Sequence, residues 1–141
     1  MKGKISALLV YDQTEPLSGL RFALENQFVR TSRARTCADV MRKLEQPNPP
    51  HIIFTDPTLQ DGTWLDVLGC AARAPVATNV IVVARHVDVS LSFYRDAMEQ
   101  GAFDFLIPPF DALNLWLVVQ GAPSDVLNRR QIPTGMSAHP A

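Results

Sequence analysis

Short runs of apolar residues alternate along the chain with segments whose apolar residues recur every three or four positions. Continuous apolar runs are typical of parallel strands covered on both faces, and the longer spacing is typical of helices that bury one side. The pattern predicts strands over residues 5–11, 29–36, 51–55, 79–84 and 103–107, and helices over about 17–28, 38–46, 63–73, 88–100 and 111–120. Such alternation predicts an α/β fold, with five helices covering a five-stranded parallel sheet through right-handed crossovers.

The spacing also predicts which side chains the first three helices bury. The expected buried residues are Leu17, Leu20, Leu24 and Phe28 in the first helix, Val40, Met41 and Leu44 in the second, and Leu65, Leu68 and Ala72 in the third. Alternating arginines in 29–36 indicate an edge strand of the sheet. The pair Asp61-Gly62 predicts a turn in which the glycine supplies a positive φ.

The length of 141 residues predicts a single domain. We place it at 1–122 and expect 123–141 to be a short, mostly irregular extension, with one or two helical turns between 124 and 130. We expect the chain to be either a whole protein or the front part of a longer one.

The composition of the chain limits the classes of partner that it could bind. The net charge is −1 and no basic stripe exists, so direct nucleic-acid binding is not expected. No apolar stretch approaches the length of a membrane span. Cys37 and Cys70 lie in separate helical patterns, which indicates two reduced core thiols in a cytosolic protein.

Two carboxylates follow predicted strands directly. Asp56 comes after the third strand, and Asp12 follows the first. Open α/β sheets bind ligands outside the carboxyl ends of their strands. We therefore predict that Asp12 and Asp56 lie at the same edge of the sheet.

Three segments in this order resemble the receiver domains of response regulators. They are Leu8-Leu9-Val10-Tyr11-Asp12, then Asp56 with Leu59-Gln60-Asp61-Gly62, and Gly101-Ala102-Phe103-Asp104-Phe105-Leu106-Ile107-Pro108-Pro109-Phe110. The resemblance covers about residues 4–121. It implies a flavodoxin-like three-layer sandwich with sheet order 2-1-3-4-5, and the chemistry of aspartate phosphorylation by a small donor or a histidine kinase.

The resemblance also implies roles for single residues. Asp56 stands at the phosphoacceptor position and Asp12 at the second of two adjacent acids. A Mg²⁺ ion would be held by Asp12, Asp56 and the backbone carbonyl of Thr58, since hard cations prefer oxygen ligands. Phe105 stands at the position of the family's switch aromatic.

Three other positions lack the family's chemistry. Tyr11 stands where the first acid belongs, Val83 replaces a hydroxyl residue, and Pro108 replaces the lysine that meets the phosphoryl oxygens. Glu15 and Arg85 are candidate replacements, although solvated loop charges are the favoured interpretation of both. We therefore predict weak or absent Mg²⁺ binding, no other cofactor and little phosphotransfer.

The favoured function is that of a non-enzymatic, cytoplasmic pseudo-receiver in bacterial two-component or phosphorelay signalling, acting by protein–protein contact. Its partner would be a histidine kinase or another signalling protein. A homodimer through the fourth helix, fifth strand and fifth helix is also possible, with candidate residues Tyr94, Met98, Asp104 and Trp116. Two alternatives stay open. One is a working phospho-switch modified at Asp56, and the other is a flavodoxin-like module that binds a small ligand at the strand ends.

Overall fold

The computed structural model of the chain describes residues 5–11, 17–83, 95–96, 98–100, 102, 104–106, 115, 121, 126 and 129–130. Its elements are β1 Ser6–Val10, α1 Leu17–Glu25, β2 Arg30–Ala34, α2 Cys37–Leu44, β3 Ile52–Thr55, β4 Thr58–Leu59, β5 Gly62–Thr63, α3 Trp64–Arg73, β6 Asn79–Val83 and β7 Asp104–Leu106. The fourth and fifth predicted helices lie largely outside the described residues.

The main sheet is parallel and has the strand order β2-β1-β3-β6-β7. This order agrees with the predicted 2-1-3-4-5, since β6 and β7 are the fourth and fifth strands of the main sheet. The predicted edge strand, β2, does lie at an edge. The sequence pattern missed the short antiparallel hairpin of β4 and β5, which follows Asp56.

The core has two main parts, one on each face of the sheet, because successive strand residues point to opposite faces. The cluster on the α1 face includes Leu9, Leu20, Leu24, Phe54 and Ile81. The cluster on the α2 and α3 face includes Leu8, Val10, Val40, Ile53 and Val67. Alternate residues of β1 and β3 enter opposite clusters, so these two strands are buried on both sides.

The end of α1 differs from the predicted pattern. The helix stops at Glu25, and Phe28 has a φ of 63° with 83% of its surface exposed. The backbone N–H of Val29 donates to the carbonyl of Leu24 at 3.1 Å, a helix ending that needs a left-handed residue at Phe28. The predicted burial of Phe28 is therefore wrong, because this turn directs Val29 into the core instead.

The buried face of α3 is also displaced from the predicted one. Trp64, Val67 and Cys70 are buried, whereas Leu65 is 48% exposed. Thr63 caps the helix and forms a capping box with Asp66, which sets where the first turn begins. The predicted burial of Leu65 and Ala72 is wrong because the apolar face starts one residue earlier, at Trp64.

The last described residues contact the amino-terminal edge of the sheet. Arg130 donates through Nε to the carbonyl of Ala77 at 2.8 Å and through Nη2 to that of Pro50 at 2.9 Å. Its neighbour Arg129 hydrogen-bonds Asn79 Oδ1. Val126 is fully buried, and Val126, Arg129 and Arg130 are helical, in agreement with the turns expected between 124 and 130. Gly121, expected to follow the last helix, is itself helical.

Candidate functional site

The parallel register brings three of the singled-out residues to one edge of the sheet. Val10 pairs with Thr55, and Thr55 pairs with Val82. The next residues along these strands are Tyr11, Asp56 and Val83, which therefore form a row at the carboxyl ends of β1, β3 and β6. Tyr11 and Val83 both belong to the α1-face cluster. By strand alternation, Asp56 faces the same side as Phe54, which is also in that cluster.

Asp56 is held firmly through its backbone. Its N–H donates to the carbonyl of Val10 at 2.9 Å, which extends the β1–β3 pairing by one residue. The hydroxyl of the buried Thr55 donates to the carbonyl of Asp56 at 2.9 Å. Asp56 itself is only half-buried. A half-buried carboxylate at the end of a central strand can still be reached by a small reactant from the crevice.

Tyr11 fills the position of the missing acid with an aromatic ring, and a cation lies on that ring. Tyr11 is 4% exposed. The guanidinium carbon of Arg33 lies 4.1 Å from the centroid of the Tyr11 ring. Arg33 Nη2 also donates to the carbonyl of Tyr11 at 3.4 Å. The distance to the ring is within the range of cation–π attraction.

Val83 lies at the other end of the row, and its side chain has no polar atom. Its side chain is fully buried in the α1-face cluster. Valine has nearly the shape of threonine but no hydroxyl, so this position packs well and can donate no hydrogen bond to a phosphoryl group.

The loop after Asp56 is fixed by carboxylates that cap helices. Asp61 Oδ1 accepts from the backbone N–H of Cys37 at 2.8 Å, and Oδ2 accepts from that of Ala38 at 3.4 Å. The bond from Cys37 N–H is the main cause that lowers the pKa of Asp61. Asp66 Oδ2 accepts from the N–H of Thr63 at 2.9 Å. These bonds join the β4–β5 hairpin to the first turns of α2 and α3.

Gly62 is required here for space rather than for a positive φ. A Cβ at Gly62 would lie 2.4 Å from Asp66 Oδ2 and 3.0 Å from Cys37 Sγ. Its φ is outside the left-handed range. The predicted reason for this glycine is therefore wrong, although the turn itself is present.

The two cysteines are near each other, at the start of α2 and within α3. Both are free, and Cys70 Sγ lies 4.0 Å from the carbonyl oxygen of Cys37. Burial, with a further contribution from the Asp61 charge, raises the pKa of the Cys37 thiol to about 12. Burial also raises the pKa of Cys70. Both groups therefore stay protonated thiols, which are poor nucleophiles.

The structure describes only some of the remaining residues that the sequence analysis named. Thr58 is exposed and pairs with Thr63 in the hairpin. Phe105 lies on β7 in register with Val82, and Asp104 is in register with Ile81. Met98 is helical and half-buried. The other six lie outside the described residues: Asp12, Glu15, Arg85, Tyr94, Pro108 and Trp116.

The donor groups in the described part of the site suit Mg²⁺ poorly. Tyr11 presents a ring in place of a carboxylate, and the fixed charge of Arg33 lies on that ring. Across the described residues, no group of three His, Cys, Asp or Glu side chains is placed to hold a metal ion. Among the described residues, Asp56 is the acid that directly follows a strand at this edge.

Arg33 is the site residue that the sequence pattern missed. The arginines of 29–36 indicated a solvent-facing edge strand, and Arg30 and Arg33 are both exposed, but that pattern gives no reason for Arg33 to lie on the Tyr11 ring. The available signal was its register. Arg33 pairs with Leu9, two residues before Tyr11 on the same face of the sheet.

Comparison with solved structures identifies the fold. The chain has the fold of response-regulator receiver domains, a flavodoxin-like α/β fold, and the predicted resemblance is confirmed. A receiver domain from Clostridium thermocellum is 24% identical with a TM-score of 0.71, covering 86% of this chain and 95% of that chain. A CheY-like receiver domain protein from Methanospirillum hungatei JF-1 is 19% identical with a TM-score of 0.71, covering 89% and 98%.

A sequence relative agrees with the structural neighbours. The photosynthetic apparatus regulatory protein RegA of Rhodovulum sulfidophilum is 29% identical over 111 residues, which are 78% of this chain and 59% of RegA. The chain thus spans about three-fifths of the length of that relative. No protein-family model matches the chain. Among the described residues, no helix is both long and apolar enough to cross a membrane.

Proposed function

We propose that this protein is a cytoplasmic receiver module of two-component or phosphorelay signalling that transmits its signal by protein–protein contact and is phosphorylated poorly. The observation that carries the proposal is the row Tyr11, Asp56, Val83. Asp56, the proposed nucleophile, stands between an aromatic ring and an apolar side chain, where an acid and a hydroxyl would assist phosphoryl transfer.

The expected loss of rate is large. Phosphoryl transfer depends mainly on positioning and on cations that neutralise the charge of the transferred group. Removing one preorganised stabilising group typically costs about 3–4 kcal/mol in the transition state, or roughly 10²–10³ in rate. Tyr11, Val83 and Pro108 together remove three such groups, although effects within one site do not simply add.

The proposed metal site is correspondingly weak. Asp12, Asp56 and the backbone carbonyl of Thr58 are the groups that would hold Mg²⁺. A bound Mg²⁺ would supply charge neutralisation for the phosphoryl oxygens. With one acid replaced by Tyr11, we expect affinity too low for the ion to be a permanent part of the protein.

The test is mass spectrometry of the intact protein after incubation with acetyl phosphate and Mg²⁺. We expect only a small fraction of wild type to gain a phosphoryl group within minutes, and Asp56→Asn is the control that cannot accept one there. The variant Tyr11→Asp, Val83→Thr, Pro108→Lys should gain substantial phosphorylation. Stoichiometric modification of the wild type within minutes would refute the proposal.

A phospho-switch with slow turnover is the second candidate. It is favoured by the half-buried state of Asp56, which leaves the carboxylate within reach of a partner's phosphohistidine. A cognate kinase can position its own phosphoryl donor, and so replace part of the stabilisation that a small donor lacks. Phosphorylation of Asp56 by a kinase but not by acetyl phosphate would favour this candidate.

Contacts with partners would use the surface of the fourth helix, β7 and the fifth helix. Tyr94, Met98, Asp104 and Trp116 are the candidate residues, and the occupant would be a histidine kinase, another signalling protein or a second copy of the chain. Sedimentation of wild type and a Trp116→Ala variant would detect a homodimer through this surface.

A further inference from the structure

A cation lies at the carboxyl end of β1, the strand that pairs with β3 next to Asp56. Arg33 reaches from β2 across the end of β1, where its guanidinium lies on the Tyr11 ring and hydrogen-bonds the Tyr11 carbonyl. That carbonyl is the last one before Asp12 in the chain. A guanidinium is charged at every physiological pH, so this part of the edge carries a permanent positive charge.

Tyr11 is what makes this position available to Arg33. An arginine side chain stacks well on an aromatic face and is more weakly hydrated than an ammonium group. The ring is 4% exposed, so it is a fixed platform rather than a mobile side chain. Replacing an acid by an aromatic residue at this point therefore removes a metal ligand and adds a binding surface for a cation from the protein itself.

A resident cation and Mg²⁺ have opposite requirements. Mg²⁺ needs oxygen ligands with negative charge, and a fixed positive charge within a few ångströms repels it. A carboxylate such as Asp56 is stabilised in its charged form by a positive charge nearby. Arg33 supplies a positive charge at the end of β1, which favours an ionised carboxylate there and disfavours Mg²⁺ binding.

We propose that Arg33, held on Tyr11, is a resident cation that replaces the charge-neutralising role of Mg²⁺ at the Asp56 edge and excludes the ion. This inference rests on the proposed function and deepens it, because a site with its own cation keeps one electrostatic state whether or not Mg²⁺ is present. The module would then present a constant surface to its partner.

The test is Mg²⁺ binding measured by isothermal titration calorimetry without any phosphoryl donor. Arg33→Gln should bind Mg²⁺ about tenfold more tightly than wild type or better, since the repelling charge is gone. Arg33→Lys keeps the charge and should stay close to wild type. Arg30→Gln is the matched control, because Arg30 is on the same strand but at its amino end, and it should leave the affinity unchanged.

Two further variants keep the test decisive. Asp56→Asn in the Arg33→Gln background should abolish the gain, which places the bound ion at this edge. Tyr11→Leu removes the platform and should also tighten Mg²⁺ binding, so it replaces Arg33→Gln if that variant does not fold by circular dichroism. Equal Mg²⁺ affinity in wild type and Arg33→Gln, or an equal gain in Arg30→Gln, would overturn the inference.

These outcomes are separable from those of the proposed function. Equal Mg²⁺ affinities would reject Arg33 as the resident cation and leave the acetyl phosphate result standing. Rapid phosphorylation of wild type would reject the proposed function and would not alter a measured difference in Mg²⁺ affinity.

Discussion

Replacing Gly62 by alanine should destabilise the loop that follows Asp56. The added Cβ would lie 2.4 Å from Asp66 Oδ2, so the Asp66 carboxylate must move off the N–H of Thr63 that it accepts from at 2.9 Å. Losing a helix cap costs about 0.5–2 kcal/mol. Alanine also lowers the conformational entropy of the unfolded chain, which offsets this destabilisation by about 0.4–1 kcal/mol. We expect a net loss of about 0.5 kcal/mol, or a fall in Tm of about 2 °C.

Urea unfolding followed by circular dichroism measures this loss. Gly19→Ala is the matched control, because Gly19 is an exposed residue of α1 with nothing within 4 Å of its added Cβ. It should stabilise the protein by about 0.5–1 kcal/mol through helix propensity. In an Asp66→Ala background, Gly62→Ala should cost about 0 kcal/mol or stabilise the protein slightly, because the carboxylate that the added Cβ displaces is absent. A Gly62→Ala variant as stable as wild type would refute the steric argument.

Two other predictions concern Val83, at the carboxyl ends of the strands, and His51, at their amino ends. Val83→Thr should lower the free energy of unfolding by about 1–3 kcal/mol, because its hydroxyl enters a fully buried apolar position; unchanged urea unfolding would contradict this. Burial and the charges of Arg130 and Arg30 lower the pKa of His51, whose Nδ1 accepts from the Ser6 N–H at 3.1 Å. The unfolded chain therefore takes up a proton first as the pH falls below about 6.5, so stability present above that pH is lost below it. His51→Gln should flatten this part of the stability–pH curve, and an unchanged curve would contradict the assignment.

Much of the fold and part of the site followed from the sequence alone. Apolar runs and helical spacing are local properties, so the five strands of the sheet could be placed before their partners were known. The resemblance to receiver domains assigned Tyr11, Asp56 and Val83 to positions of one site, and parallel strands end at one edge of the sheet. The residue types alone also showed that Tyr11 lacks a carboxylate and that Val83 lacks a hydroxyl.

Only the tertiary structure decided which side chains meet across that framework. In the sequence, Arg33 is one of several arginines on a predicted edge strand. Its position on the Tyr11 ring depends on the register between β1 and β2. Arg130 reaches two backbone carbonyls that are 53 and 80 residues away in the chain. Phe28 carries a helical spacing that predicts burial, yet the turn into β2 leaves it exposed. Periodicity records which faces are apolar, whereas the direction of a single side chain depends on contacts between segments that are distant in sequence.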